Sequence, residues 1–264
     1  STMNKTLIAL AVMAAAGSAH AAIDVGSDSF AYTQSFDSLT TSTTATPWAN
    51  NSTLPGWSLF TSTLADAPTI LGGSGTANSG SFYSFGASGD GDRALGVTAS
   101  GGAYFGSPAS GAIAGHISVA FTNSTGSMLD GTVVAFSGEQ WRNGGNTAAQ
   151  SLAFEYGFGA NFGTVASWTA LPTGNVISPV IGATAAAVDG NTAGLTAGLG
   201  ATIDGWAPGQ TLFLRWVDRN DVGNDHGLAI DNFSLTVTAV PEPGALALML
   251  AGLGFMGFVA RRRA

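Results

Sequence analysis

Apolar and polar residues alternate along most of this chain. In residues 116–122, Ile117, Val119 and Phe121 fall on one side and His116, Ser118, Ala120 and Thr122 on the other, the period of two expected for a strand with one buried face. On that reading His116 faces water. Residues 151–158 repeat the pattern, with Leu152, Phe154, Tyr156 and Phe158 opposite Glu155. Residues 211–218 set Leu212, Leu214 and Trp216 against Phe213, Arg215 and Val217; apolar groups on both faces predict a central strand covered on both sides. Near the end, Asp231 shares parity with Phe233, Leu235 and Val237, which points it inward unless a bulge intervenes. Strand-like runs separated by Gly, Asn and Ser recur from residue 30 to 237, without sustained helical periodicity. The pattern predicts an all-β, antiparallel sandwich. Gly-rich connections are expected at 72–80, 86–91 and the Asn-Gly-Gly-Asn turn at 143–146. Residues 181–203 are poorly patterned, and read equally as a long loop, a short helix near 183–188 or a weak strand pair.

The two ends follow different rules. Met3, Asn4 and Lys5 open a short basic region, residues 7–16 are apolar, and Ala19-His20-Ala21 is a small-x-small cleavage site, so residues 1–21 read as a signal peptide cut after Ala21, with Ser1 and Thr2 as extra residues. At the other end Pro241-Glu242-Pro243 precedes an uncharged apolar run, 244–260, closed by Arg261, Arg262 and Arg263. At about 1.5 Å per residue that run spans about 26 Å, just short of the roughly 30 Å of a bilayer core. Terminal arginines favour the cytoplasmic side, which places the body, residues 22–240, on the far side as one domain.

Composition narrows the chemistry of that body. It keeps only Arg93, Arg142, Arg215 and Arg219 of the eight cations, and every acid except Glu242, so it is more acidic than the −8 of the whole chain. Nucleic acid is disfavoured as a partner, because phosphate neutralisation needs clustered Lys and Arg. Cysteine is absent, which excludes disulfides, zinc-thiolate sites and thiol nucleophiles. Lysine occurs only at Lys5.

The ordered tail, with its Pro-Glu-Pro motif, Gly-containing hydrophobic helix and arginine cluster, resembles the PEP-CTERM sorting signal. The resemblance implies recognition by exosortase, a membrane-embedded cysteine protease that cuts near the motif and releases or transfers its cargo. The stretches Ser35-Phe-Asp-Ser-Leu39, Leu54-Pro-Gly-Trp57, Gly91-Asp-Arg-Ala-Leu-Gly96, Gly138-Glu-Gln-Trp-Arg142, Leu214-Arg-Trp-Val-Asp218 and Asp225-His-Gly-Leu-Ala-Ile-Asp-Asn-Phe-Ser234 resemble uncharacterised ectodomains carried by such signals. They imply a jelly-roll-like sandwich of the kind used by carbohydrate-binding modules, with no activity attached.

Two candidate sites emerge from the residues. Asp218, Asn220, Asp221 and Asp225, with Asn224 and then Asp231, form the densest polar stretch. Ca²⁺ takes six to eight oxygens at roughly 2.3–2.6 Å, so a structural calcium ion is the candidate cofactor, against the alternatives of an ion pair or Asx-type turn capping. An EF-hand is rejected because its fifth and twelfth positions would be Val222 and Ala229. A buried Asp231 needs a partner: calcium, Arg215 or backbone N–H groups, with Asp37 a neighbour if first and last strands pair. The loop 90–93 reads as a tight turn. The second site is Trp141 with Glu139 and Arg142 beside the 143–146 turn; Trp141 is the tryptophan expected to be exposed for stacking on a sugar. The bland alternative for Glu139 is an ion pair with Arg142. No catalytic residue is assigned. Glu139 and Glu155 would serve a glycosidase only if they lay about 5–9.5 Å apart across a cleft.

Together these features predict a non-enzymatic protein exported to the cell surface or extracellular matrix, passing through a membrane-anchored stage, and binding exopolysaccharide in a biofilm or floc. Self-assembly through unguarded strand edges is the alternative, since Lys commonly guards edges; a polysaccharide-active enzyme comes third.

Overall fold

The computed structural model describes residues 22–100 and 102–238, with Leu253 and Arg262, both helical. The signal-cleavage residues Ala19 and Ala21, the Pro241-Glu242-Pro243 motif, most of the span 244–260, and Arg261 and Arg263 lie outside the described residues. No helix among the described residues is long and apolar enough to cross a membrane.

In chain order the described strands are β1 (Ile23–Val25), β2 (Ala31–Gln34), β3 (Thr46–Pro47), β4 (Trp57–Thr61), β5 (Thr69–Gly73), β6 (Ser81–Phe85), β7 (Ala94–Thr98), β8 (Ile113–Asn123), β9 (Thr132–Asn143), β10 (Ser151–Phe158), β11 (Thr169–Ala170), β12 (Val176–Ile177), β13 (Ala186–Ala187), β14 (Leu195–Ile203), β15 (Thr211–Arg219) and β16 (Gly227–Thr236). The first sheet runs β1-β8-β15-β10-β11, with β4 also on β8 and β12 also on β10. The second runs β13-β9-β16-β7-β6-β5-β3, with β14 on β9 and β2 on β16. Pairing is antiparallel except for β1 with β8 and β5 with β6. The poorly patterned stretch 181–203 is resolved as the strand-pair alternative: β13 and β14 both add to β9.

Period-two patterning explains the core. Ile117, Val119 and Phe121 of β8, Leu152 and Phe154 of β10, and Leu212, Leu214 and Trp216 of β15 meet Leu95, Val97, Val134, Phe136, Ile230 and Leu235 of the second sheet in one buried cluster. Trp216 lies at its centre. Its ring centroid is 5.0 Å from Phe154 and 5.9 Å from Trp57 in its own sheet, and 5.1 Å from Phe136 and 6.0 Å from Phe233 across the interface. As expected, β15 is central and covered on both faces: Phe213 packs outside with Phe60, Ala120 and Phe162.

Two expectations are altered, one by coverage of an outer sheet face and the other by a bulge. His116 does sit on the outer face of β8, yet it is 3% exposed, because the segment carrying Phe162 folds over it with ring centroids 5.5 Å apart. Asp231 does not point into the inter-sheet core. The β16–β9 register shifts between Asp231 and Ser234, and Asn232 takes φ 51°. This bulge places Leu228 and Ile230 on the same side as Phe233 and Leu235, and turns Asp231 to the outer face.

Trp216→Ala should lower stability by about 3–5 kcal/mol, the cost of removing a large buried ring. Trp216→Phe should cost clearly less, because the Trp216 Nε1 donor is buried without a partner and its loss removes an unsatisfied group. Denaturant midpoints of the two variants check this.

Candidate functional site

The outer face of the second sheet is a floor of small residues with an aromatic ladder laid on it. Tyr83, Gly96, Ala229 and Glu139 form one row across β6, β7, β16 and β9. A Cβ at Gly96 would come within 2.7 Å of the Phe85 ring, so glycine there is what lets the ring lie flat. Tyr83 and Phe85 stack at 4.7 Å and Phe85 and Trp141 at 6.3 Å, with nearly parallel ring planes in both pairs. Trp141 Nε1 donates to Glu139 Oε2 at 2.7 Å.

Trp141 and Glu139 are thus brought together as expected, but not at the surface. Each is 2% exposed. A Cβ at Gly190 would lie 2.3 Å from the Trp141 indole nitrogen, so the strap 188–194 seals the ring. The strap is anchored by Val188 N–H donating to Trp141 O at 2.8 Å and by Asn191 Nδ2 donating to Asp92 Oδ2 at 2.6 Å. The Glu139–Arg142 ion pair is not formed: Arg142 Nη1 instead donates to Gly75 O at 3.0 Å and Thr76 O at 3.2 Å. Of the six tryptophans, only Trp168 is not buried, and the Arg215 guanidinium sits 3.8 Å over its ring.

Burial pushes the Glu139 carboxyl up to about 7, against the Trp141 hydrogen bond and with help from Asp92 and Asp189. Asp231 lies in the same acidic neighbourhood. Its carboxyl is also pushed up to about 7, by burial first and then by Glu139, Asp92 and Asp37. Asp37 therefore does come near Asp231, as the pairing of β2 with β16 requires. Asp231 Oδ2 accepts from Asn232 Nδ2 at 2.7 Å, while Oδ1 has no partner. Arg215 is not the partner of Asp231; it pairs with Glu155 at 2.5 Å on the other sheet. Glu139 and Glu155, being on different sheets, do not face each other across a cleft.

A cavity of about 280 Å³ opens where β7 and β9 end. Asn78, Thr98, Arg142, Asn220, Asn224 and Asp225 line it, with Ser100 and Ala185 at its wall. The loop 220–225 forms one side, and its shape is fixed by neighbours. Asn146 Nδ2 donates to Val222 O at 2.8 Å and Asn224 O at 3.1 Å, and Gln150 Nε2 donates to Asn224 O at 2.8 Å. His226 Nδ1 accepts from Gly144 N–H at 2.9 Å, which leaves the proton on Nε2, facing Ala148 O at 3.2 Å. Asp221 N–H donates to Asp225 Oδ1 at 2.7 Å.

Asp218, Asn220, Asp221 and Asp225 do gather at this end, but Asp231 does not join them. Burial first, then Asp225 and Asp221, raise the Asp218 carboxyl well above the ordinary range, against the lowering influence of the Arg219 and Ala99 backbone N–H groups. Burial raises Asp225 to about 7. Two oxygens here are buried without partners, Asp218 Oδ2 and Thr98 Oγ1. Among the described residues no three carboxylate or imidazole groups converge into a ready-made metal cage. Asn224 was visible in the polar loop, whereas Thr98, Asn78 and Ser100 gave no sequence signal, since folding alone brings residues 78–100 beside residues 220–225.

The PEP-CTERM protein-sorting motif matches residues 239–263, which supports the exosortase-substrate reading of the tail and an exported protein. Among solved structures the chain is similar to the CBM22-1 xylan-binding domain of Paenibacillus barcinonensis Xyn10C, at 11% identity over 79% of this chain and 95% of that one, with a TM-score of 0.38. A likeness at that score carries no argument about site or ligand. No curated protein matches the chain.

The buried carboxyls set the pH dependence of stability. Glu139, Asp218, Asp221, Asp225 and Asp231 are all raised in the folded state, so the folded protein holds protons that the unfolded chain releases above about pH 4. Their contribution is full below that pH and is lost as pH rises through the raised folded values, about 7 for Glu139, Asp225 and Asp231. His116, lowered to about 3, and His226, also lowered, act in the opposite sense, because below about 6.5 the unfolded chain protonates them first. Carboxyls outnumber imidazoles, so melting temperature should fall from pH 5 to pH 8. Glu139→Gln and Asp231→Asn should flatten that slope, and a pH series of thermal melts checks both.

Proposed function

We propose that this is an exported surface or matrix protein that binds polysaccharide without cleaving it, with residues 22–240 as the working body and residues 241–264 as the sorting tail. The observation that carries the reading is the end cavity: a preshaped space of about 280 Å³ walled by amide, hydroxyl, guanidinium and carboxyl side chains. Sugar hydroxyls both donate and accept, and amides match them in both senses. The loop-to-loop hydrogen bonds that hold residues 220–225 lower the ordering cost of binding. Asp225 is the one carboxyl among the lining residues described, whereas glycoside hydrolysis ordinarily uses a pair; this favours binding over catalysis. The Trp141 ladder serves packing on this reading.

Ala185 is exposed at the cavity wall, so Ala185→Trp should block the space without disturbing the core. Affinity electrophoresis of the full-length chain in gels cast with bacterial exopolysaccharide should show retardation that Ala185→Trp abolishes. Retardation unchanged in that variant would move the binding site elsewhere.

A structural calcium ion at Asp218, Asp221 and Asp225 is a second reading, supported by the unpartnered Asp218 Oδ2 and Thr98 Oγ1. Two or three carboxylates with hydroxyl, amide and water oxygens suit a hard cation. Calcium at about a hundred times its dissociation constant should then stabilise the fold by about 2.7 kcal/mol, read as a higher melting temperature that EDTA reverses. Asp218→Asn should abolish the response while raising the melting temperature of the metal-free protein, because it removes a costly buried acid. No shift with calcium refutes this site.

A further inference from the structure

The four arginines of the folded body are not equivalent. Arg93 Nε donates to Ser84 Oγ at 3.1 Å and its Nη2 to Ser84 O at 2.5 Å. Arg215 is spent on Glu155 and on the Trp168 ring. Arg219 Nη1 donates to Gly111 O at 3.1 Å from an exposed position. Arg142 is different. It is 8% exposed, it lines the end cavity, and no carboxylate forms an ion pair with it among the described residues. Gly75 O and Thr76 O take its Nη1 donors. Those two bonds fix the guanidinium plane, and no acceptor among the described residues takes Nε or Nη2.

A nearly buried guanidinium without a counter-charge is costly, and its rigid fork matches a carboxylate in two parallel bonds. The cavity's other polar lining is neutral, Asn78, Thr98, Ser100, Asn220 and Asn224, apart from Asp225. Asp225 Oδ1 already accepts from Asp221 N–H at 2.7 Å.

We propose that the cavity recognises a carboxylated sugar, a uronic acid residue of an acidic polysaccharide, with its carboxylate on the Nε and Nη2 edge of Arg142 and its hydroxyls on Asn78, Asn220, Asn224 and Asp225. This rests on the saccharide-binding reading above and names its ligand class. The acidic body repels a polyanion at long range, so selection is made by contact inside the cavity. At 0.15 M salt, where the screening length is about 8 Å, the repulsion is damped and the contact persists.

The test is calorimetric titration of the full-length chain, at that ionic strength, with tri-galacturonate and with its carboxyl-reduced counterpart, tri-galactose. The charged trimer should bind about tenfold or more tighter, as expected for losing a hydrogen bond to a charged group, and Arg142→Gln should erase the difference. Because Arg142 also ties down residues 75–76, a second variant guards against misfolding. Asn78 is exposed, and Asn78→Asp supplies Arg142 with an internal counter-charge; it should weaken tri-galacturonate clearly more than tri-galactose, which loses at most one hydroxyl contact. Equal binding of the two trimers, unaltered by either variant, overturns the uronate assignment and leaves the saccharide reading standing. Binding of neither trimer, with exopolysaccharide retardation retained, also overturns the uronate assignment. Loss of both trimers and of retardation overturns both readings.

Discussion

The aromatic contact between the two sheets is the interaction on which everything else depends. Trp216, Trp57 and Phe154 from one sheet interlock with Phe136 and Phe233 from the other at centroid distances between 5.0 and 6.0 Å. Rings of this size each bury a large apolar area and prefer offset or edge-on contact, so a few of them can lock two twisted sheets at one mutual angle. A body without cysteine has no covalent staple, and packing of this kind has to supply the rigidity that a polar cavity at the sandwich end requires. The cavity walls come from both sheets' strand ends, Thr98 and Arg142 from one and the chain just after β15 from the other. Any slippage between the sheets would open the space.

Much of this was legible from residue alternation. The strands around 116–122, 151–158 and 211–218 appear as written, because side-chain period on a pleated strand is fixed by geometry and owes nothing to tertiary context. What alternation does not encode is what lies over the outer faces. His116 occupies the face its parity gave it and Trp141 the outer face of its sheet, yet both are covered by chain segments distant in sequence, the Phe162 turn and the 188–194 strap. Asp231 shows the complementary limit. A single bulged residue, Asn232 at φ 51°, reverses parity, and Asn tolerates that backbone well enough that its presence did not announce the break. The candidate site was half legible: Arg142, Asn220 and Asp225 could be named, while Asn78, Thr98 and Ser100 come from segments more than a hundred residues earlier than the loop they face.

The acid distribution separates the molecule into two regions with different physical roles. Glu139 and Asp231, raised by burial with help from neighbouring acids, lie buried around the Trp141 ladder; Asp218 and Asp225, raised by burial and by neighbouring acids, lie at the cavity end. Reading all the acids of the C-terminal third as one cation site conflated the two, because Asp225 and Asp231 are close in sequence but β16 carries them to different places. At the sealed region burial raises Glu139 and Asp231, a consequence of packing. At the cavity end the buried oxygens remain unpartnered, which is the condition under which a ligand or ion gains most.

The sheet edges bear on whether such a protein stays dispersed. Lysine does not guard them, yet among the described residues the outermost strands are short, with two residues in each of β3, β11 and β13 and three in β1. Of the longer edge strands, β2 has four residues, β4 five and β14 nine; β14 carries no charge, but its pairing breaks between Thr196 and Leu199. Gly198 and Gly200 take positive φ, and Thr173 Oγ1 donates to Gly200 O at 2.7 Å. Short, bulged and side-capped edges are the alternative to charge as protection against edge-to-edge pairing. The lysine-free composition that first suggested fibre formation therefore has a different physical consequence in this fold. It leaves Arg142 as the cation available inside a cavity, and makes charge at that one position decisive for what the cavity can hold.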